Sequence, residues 1–281
     1  MVAICPNPFR DIDLNYTKKC ADILNRLGIN SVICPVFDDS PDVIPSDIKT
    51  CALKDVLNDI NLAIVVGGDG TILNVVGDIY KLDIPVLGIN LGTKGFMASI
   101  EPEDIELITG IASGEYSLSE RMMLDVSLVR NNKEIYSGTV LNDVVLHGYG
   151  DTIKLDAYCD KSFMTEFSGD GIIVSTPTGS TGYSLSTGGP IVEPDTATII
   201  VSPICAHSLG ARSFVLDSSR VVEITVSKLH DRRAYLSADG NSEADLSNGD
   251  IIRVKKSEYS VSMINFEQNS FFETAFAKLS K

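Results

Sequence analysis

The chain has 281 residues, 44% of them hydrophobic and 22% charged, which is material for one large domain or two modest ones with a real apolar core. Its 23 basic and 38 acidic side chains give a net charge of −15. That balance argues against nonspecific nucleic-acid binding and against adhesion to anionic lipid, both of which need Lys and Arg beside phosphate, but it leaves room for an anionic substrate held by backbone N–H groups and a metal ion.

Val2–Cys5 is a short apolar run closed by Pro6 and Asn7. Residues 12–27 place Ile12, Tyr16, Cys20, Ile23, Leu24 and Leu27 at helical spacing, and Gly28 stops that helix. Ser31–Cys34 is another short strand, and the segment from Asp38 to Lys49, rich in Asp, Pro and Ser, reads as a loop. Leu62–Val66 is a buried strand followed at once by glycines; residues 71–80 look helical, and Val86–Ile89 is the next strand. Strand, helix, strand, helix, strand predicts a parallel sheet with helices on its faces.

After Glu101 the texture changes. A short helix over 103–112 gives way to segments rich in Val, Ile, Thr, Ser and Tyr: Leu124–Val129, Gly138–Leu146, Thr152–Tyr158, Ile172–Ser175, Thr198–Val201, Val221–Val226 and Ile251–Val254. Turn residues such as Asn131-Asn132, Asp239-Gly240-Asn241 and Asn248-Gly249-Asp250 separate them, which predicts a sandwich of antiparallel strands. The tail from Ser270 puts Phe271, Phe272, Ala275, Phe276 and Leu279 on one helical face. The expected fold class is therefore an α/β N-terminal domain with a parallel sheet (1–100), a mainly antiparallel β-sandwich domain (101–265) and a C-terminal helix (266–281) packed back on the first domain.

The six cysteines, at 5, 20, 34, 51, 159 and 205, form no CxxC pair and have no His at ligand spacing, so reduced thiols are expected rather than disulfides or zinc. The apolar run at the N-terminus is too short for a signal peptide, and no stretch of about 18 apolar residues suggests a membrane span. A cytoplasmic location is the expectation.

Two stretches carry chemistry. In Gly67-Gly68-Asp69-Gly70-Thr71 a buried strand ends in glycines, a lone carboxylate follows, and Gly-Thr opens a helix. Without Cβ atoms the backbone can approach a phosphate, and the helix offers unpaired N–H groups and partial positive charge. Gly68, Gly70 and Thr71 would cradle phosphates through their backbone, Asn74 one turn on would reach the same phosphates, and Asp69 would hold a metal or accept a proton. No Lys-Ser/Thr follows at Walker A spacing, and G-x-G-x-x-G does not fit. Read alone, the turn is equally a tight strand-to-helix junction with Asp69 as helix N-cap. The second stretch is Ser175 to Pro190, almost wholly small, hydroxylated or glycine, with Tyr183 its single aromatic. It has little to bury, and its hydroxyls and amides suit sugar hydroxyls and phosphates, with Tyr183 able to pack on a flat base or ribose.

These residues resemble the NAD kinases. The turn at 67–71, Asn90–Met97, Leu141-Asn142-Asp143-Val144-Val145, the run from Asp170 to Pro190, Ile204–Leu209 and Asp239-Gly240-Asn241 follow the family's motifs in its order. The run at 170–190 is specific; diacylglycerol, sphingosine and phosphofructokinases share the glycine turn. The resemblance implies phosphorylation of the adenosine ribose 2′-hydroxyl of NAD by ATP, with a divalent metal, normally Mg2+, and a homodimer or homotetramer. It implies that Asp69 is the proton acceptor, that Phe96 caps the NAD pocket, that Asn142 and Asp143 bind the nicotinamide-bearing ribose or the adenine, and that Asp170 contacts the nicotinamide carboxamide or ribose. Thr181, Tyr183 and Ser186 would line the adenine and ribose, and Asn241 would make a further contact. Asp143 stands where the family usually has Glu, Gly182 where it has Ala, and Asn241 where it has Gln. The three histidines, His207 among them, read as structural, and Arg121 and Arg212 as ion-pair partners. The competing readings are a lipid or sugar-phosphate kinase sharing the turn, and a nucleotide sensor without catalysis.

Overall fold

The computed structural model describes residues 1–37, 43–92, 95–208, 210–229, 231–266 and 270–280. Part of the expected loop (38–42), Thr93 and Lys94 of the Asn90–Met97 motif, Leu209, His230 and the last tail residue lie outside them. The chain divides into two compact units, Met1–Glu120 with Ser260–Lys281, and Arg121–Tyr259. Residues 101–120 and 260–265, expected with the second half, thus go with the first.

The first unit runs β1 (Val2–Pro6), α1 (Asn15–Arg26), β2 (Ser31–Ile33), β3 (Leu62–Gly67), α2 (Asp69–Ile79) and β4 (Val86–Asn90). The strands pair in parallel in the order β2-β1-β3-β4. β1, β3 and β4 are buried along their whole length, which is why they read as continuous apolar runs with no alternation. α1 begins three residues later than its periodicity suggests. The buried Asp11 carboxylate accepts the N–H groups of Tyr16 and Thr17 at 2.9 Å each and the Thr17 hydroxyl at 2.7 Å, so Ile12–Leu14 is a separate tight turn and Ile12 is exposed. The expected helix over 103–112 is a 3₁₀ helix, Pro102–Thr109, followed by the single turn α3 (Gly110–Ser113).

The chain enters the second unit along β5 (Ser117–Arg130), continuing through β6 (Lys133–Val140), β7 (Asp143–Gly148), β8 (Ile153–Cys159), β9 (Ser162–Gly169), β10 (Gly171–Ser175), α4 (Tyr183–Ser186), β11 (Thr198–Ile204), β12 (Phe214–Asp217), β13 (Val222–Lys228), β14 (Ala234–Ala238), β15 (Asn241–Asp245) and β16 (Ile251–Asn265). One antiparallel sheet has the order β12-β11-β10-β7-β14-β15; the other carries β16-β13-β8-β9 and the β5–β6 hairpin. Their inner faces share one core, in which Leu146, Val174 and Val201 of the first sheet pack with Leu155, Ile224 and Ile252 of the second. This is the expected sandwich. Arg130 forks onto the fully buried Asp250 at 2.8 and 2.7 Å, which satisfies a carboxylate that would be costly alone.

Gly138–Leu146 is not one strand but two, broken at Leu141-Asn142. The end of β16 returns to the first unit, where Met263 pairs in parallel with Val86, and α5 (Phe271–Leu279) follows. Its start is a capping box: Glu273 N–H donates to Ser270 Oγ at 3.2 Å, and Ser270 N–H donates to Glu273 Oε2 at 2.8 Å. The apolar face does not fulfil the expectation of burial: Phe272 and Phe276 are 67% and 76% exposed, and Ala275 alone is buried. α5 touches its unit through Lys278, whose ammonium donates to Gly95 O and lies 3.5 Å from Glu101.

Candidate active site

In the first unit β3 delivers the chain to the glycine turn. Gly67 is a packing glycine: a Cβ there would sit 2.4 Å from Thr71 Oγ1. Thr71 is buried, its Oγ1 accepts from Asn7 Nδ2 at 3.3 Å, and its N–H donates to Gly68 O at 2.9 Å. Its backbone donor is therefore already spent, which leaves the N–H groups of Asp69 and Gly70 as the first-turn donors without a backbone acceptor among the described residues. Gly68, not Asp69, is the N-cap. The Asp69 side chain turns to a distant segment: Oδ2 accepts the Phe96 N–H at 2.9 Å and Oδ1 the Met97 N–H at 3.3 Å. Burial pushes its carboxyl above the ordinary range, while those two N–H groups and the Lys278 charge hold it back.

A pocket of about 360 Å³ opens here, lined by Asn7, Arg10, Phe37, the turn residues Gly68 to Thr71, Gly92 and Gly95. Arg10 is the cation that sequence reading missed. Its signal was position: it follows the C-terminal end of a buried parallel strand, where open α/β sheets bind ligands. Asn74 is off the pocket wall, exposed and folded back so that Nδ2 donates to Gly70 O at 2.9 Å. Phe96 is half-buried, its ring 5.8 Å from Lys278 Nζ.

In the second unit Asp239 organises the break between β6 and β7. Its carboxylate accepts the N–H groups of Leu141, Asn142 and Asp143 at 2.7, 2.8 and 3.0 Å. Burial raises its pKa and these three bonds oppose the rise. Asp143 is 6% exposed; burial, and then the Asp239 charge, push it up to about 7. The hydroxyl-rich run packs on this break. Gly179 lies so close to Asn142 that a Cβ would meet its carbonyl oxygen at 2.3 Å. Thr176 Oγ1 donates to Leu141 O at 2.6 Å, and Thr176 N–H donates to Asn142 O at 2.9 Å.

Half of the run is thus buried, contrary to the expectation that it has little to bury: Ser175, Thr176, Thr178, Ser180 and Ser184 are all inside. Three polar atoms there, Asn142 Oδ1, Ser175 Oγ and Thr178 Oγ1, are buried without a hydrogen-bond partner among the described residues. The Gly182 departure falls beside them, where a Cβ would lie 3.7 Å from Asn142 Nδ2 and 3.8 Å from Asp143 Oδ2. Thr181 donates its hydroxyl to Thr178 O at 3.3 Å. Tyr183 is 40% exposed and stacks on His147 with ring centroids 6.4 Å apart; Ser186 and Asn241 are exposed. Half-buried Asp170 hydrogen-bonds the exposed Cys205 thiol and raises its pKa. The guanidinium of Arg121, half-buried, has the Asp195 charge against its desolvation. Among the described residues, no group of three or more His, Cys, Asp or Glu side chains is placed to hold a metal.

A family model described as the ATP-NAD kinase N-terminal domain matches residues 7–116, and one for the C-terminal domain matches residues 141–266. An NAD kinase of Acetivibrio thermocellus is 35% identical over 281 residues, covering 99% of this chain and 96% of the relative. The chain belongs to the NAD kinase family. Another NAD kinase, from Geobacter sulfurreducens, is 37% identical over 240 residues, 84% of this chain and 81% of its own length. Among solved structures, yeast NADH kinase complexed with NADH superimposes with a TM-score of 0.85 at 26% identity, covering 99% of this chain and 87% of that one. An NAD kinase from Archaeoglobus fulgidus in complex with ATP gives 0.74 at 26% identity, covering 100% and 99%. As a member of the NAD kinase family the chain is an enzyme, a kinase whose acceptor is NAD. The two NAD kinase family matches omit 117–140 and the tail beyond 266, so Lys278, which bears on Asp69, lies outside both.

Proposed function

We propose that the chain transfers the terminal phosphoryl group of ATP to the 2′-hydroxyl of the adenosine ribose of NAD, giving NADP and ADP. The observation that carries the reading is Asp69: a carboxylate at the first turn of α2, in the pocket, fixed by two backbone N–H groups and made more basic by burial. Phosphoryl transfer asks little covalent chemistry of a protein and depends on positioning and charge. The N–H groups of Asp69 and Gly70, the α2 dipole and Arg10 supply positive potential to phosphates. Each Asp69 oxygen keeps a lone pair beyond its N–H bond, so the side chain orients the acceptor hydroxyl and takes its proton as the phosphoryl group arrives.

The second unit carries the nucleoside-facing groups. Asn142, Asp143 and Asp170 offer acceptors for ribose hydroxyls and amino groups, and Tyr183 offers a ring face. The unpartnered Asn142 Oδ1 and Thr178 Oγ1 are what a polar ligand would satisfy. Thr181, Ser186, Asn241 and Phe96 keep the supporting roles that the resemblance gives them, and Asn74 serves by holding Gly70.

A divalent ion, Mg2+ by the resemblance, fits this donor set as a partner of the nucleotide and not of a protein cage. Magnesium commonly keeps waters and binds through one or two carboxylates plus substrate phosphates, and Asp69 is the carboxylate on the pocket wall. When bound, it neutralises phosphate charge. A homodimer or homotetramer in the cytoplasm belongs to the same reading, and the six free thiols suit a reducing compartment.

The test is direct: purified protein with NAD, ATP and magnesium, assayed for NADP. Folded protein that makes no NADP above background overturns the proposal. Asp69→Asn is expected to lower kcat by at least about a hundredfold while NAD binding persists, and wild-type turnover in that variant refutes the assigned role.

A further inference from the structure

Three of the thiols lie side by side across the first unit's sheet. Ile4 pairs in parallel with Ile33, and Ile33 forms a parallel bridge to Thr50, so the next residues, Cys5, Cys34 and Cys51, are lateral neighbours in turn. The backbone holds this register: Cys34 N–H donates to Ile4 O at 2.8 Å, and Cys51 N–H donates to Ile33 O at 3.1 Å. Cys34 and Cys51 are in sulfur contact, Sγ to Sγ 3.7 Å. Lateral neighbours in a sheet are about 4.8 Å apart. That is inside the Cα separation of about 4.4–6.8 Å that disulfides span. Closing the pair to a bond of about 2.05 Å therefore asks for side-chain rotation and not for backbone movement. Cys5 and Cys34 are fully buried, whereas Cys51 is half-buried and open to reagents.

We propose that Cys34 and Cys51 are a redox-modification site, forming a reversible intramolecular disulfide with a small-molecule disulfide such as oxidised glutathione as oxidant. The Cys51 thiolate attacks one sulfur of the oxidant, joining Cys51 to glutathione and expelling one glutathione thiolate. The Cys34 thiolate then attacks Cys51 Sγ, forming the protein disulfide and expelling the second. The protein loses two protons and two electrons, and the oxidant gains the two electrons as two thiols. The second step is the slow one, because burial pushes the Cys34 thiol up to about 12, and contact with its target offsets that handicap.

The bond has a place to act. Cys34 and Cys51 are seventeen positions apart, and Phe37, on the wall of the Asp69 pocket, lies in the segment they enclose. Oxidation adds a covalent bond to the Ile33–Thr50 bridge that already joins the ends of that segment, and so fixes more firmly the base from which Phe37, three residues past Cys34, reaches the pocket wall. This consequence rests on the kinase reading; the bond itself does not.

The experiment equilibrates the full chain, folded, in reduced–oxidised glutathione mixtures and maps tryptic peptides without reduction. The expected product is one cross-linked pair of peptides carrying Cys34 and Cys51, lost with dithiothreitol and absent from Cys51→Ser. A stable glutathione adduct on Cys51 with no cross-link, a Cys5–Cys34 bond, or modification confined to Cys205 overturns the proposal. Steady-state kinetics on the same samples are expected to show a several-fold rise in the KM for ATP on oxidation, reversed by dithiothreitol and missing in Cys51→Ser. A cross-link that leaves this KM unchanged overturns the tie to the pocket. If the reduced protein makes no NADP, the kinase reading fails while the peptide map still decides the bond.

Discussion

Replacing Asp143 with Asn is expected to make the protein more stable and a poorer binder of NAD, with the stability gain appearing only at higher pH. Asp143 is buried beside the Asp239 carboxylate, and its pKa rises from an ordinary 3.8 to about 7. Between those values the folded chain holds a proton that the unfolded chain has released. Stability therefore falls as pH rises through that window and levels off above it. Each pH unit is worth about 1.4 kcal/mol, so keeping Asp143 ionised at pH 8 costs the fold up to about 4 kcal/mol. Asn has the same shape and no charge, so Asp143→Asn should match wild type near pH 4 and exceed it by a few kcal/mol at pH 8. Urea denaturation at several pH values and constant ionic strength reads this as a midpoint difference that grows with pH at an unchanged m-value. A difference of the same size at every pH would show that Asp143 ionises normally and would refute the reasoning. The KM for NAD in the same variant is expected to rise, as befits a group kept at a local cost for binding.

The other predictions concern the shape of the two sites. Asp239→Ala leaves the N–H groups of Leu141, Asn142 and Asp143 without their acceptor and should cost about 3 kcal/mol or more by denaturation, with the KM for NAD rising as well. Gly67→Ala forces a Cβ to within 2.4 Å of Thr71 Oγ1 and should cost about 1–3 kcal/mol. Gly70→Ala meets nothing within 4 Å and should leave stability equal or slightly higher, yet raise the KM for ATP; an unchanged KM would count against the phosphate cradle. Lys278→Ala removes a charge that lowers the Asp69 pKa, so the acidic limb of the kcat–pH profile should move to higher pH.

Strands β1, β3 and β4 were legible because a strand buried on both faces must be apolar at every position, and the sandwich because turn residues recur between β-branched runs. What could not be read was set by distant partners. Nothing local separates β6 from β7; the break exists because Asp239, almost a hundred positions on, takes three N–H groups there. The start of α1 moved because Asp11 caps it from outside the periodic stretch. The hydroxyl-rich run stands out by its lack of apolar residues, but composition cannot reveal that a hydroxyl there is buried because it finds its partner in a neighbouring backbone carbonyl. Periodicity gave α5 an apolar face without saying what meets it, and most of that face meets solvent. Lys278 carries no pattern at all, and Arg10 only its place after a buried strand: single cations acquire meaning when the fold brings them beside the pocket or its carboxylate.

The grip of Phe96 and Met97 on Asp69 bears on what can be inherited or transplanted. Five residues, Gly67 to Thr71, suffice to bend a strand into a helix and present amides to a phosphate, so unrelated kinases can share them. Aim is a different property. Here the carboxylate is aimed by amides 27 and 28 positions downstream. Grafting the five-residue turn onto another parallel sheet would carry over an anion cradle with an untethered acid, free to choose rotamers and solvent. The smallest portable unit is the turn together with the segment at 95–97, two pieces of chain that must be moved as a pair or not at all.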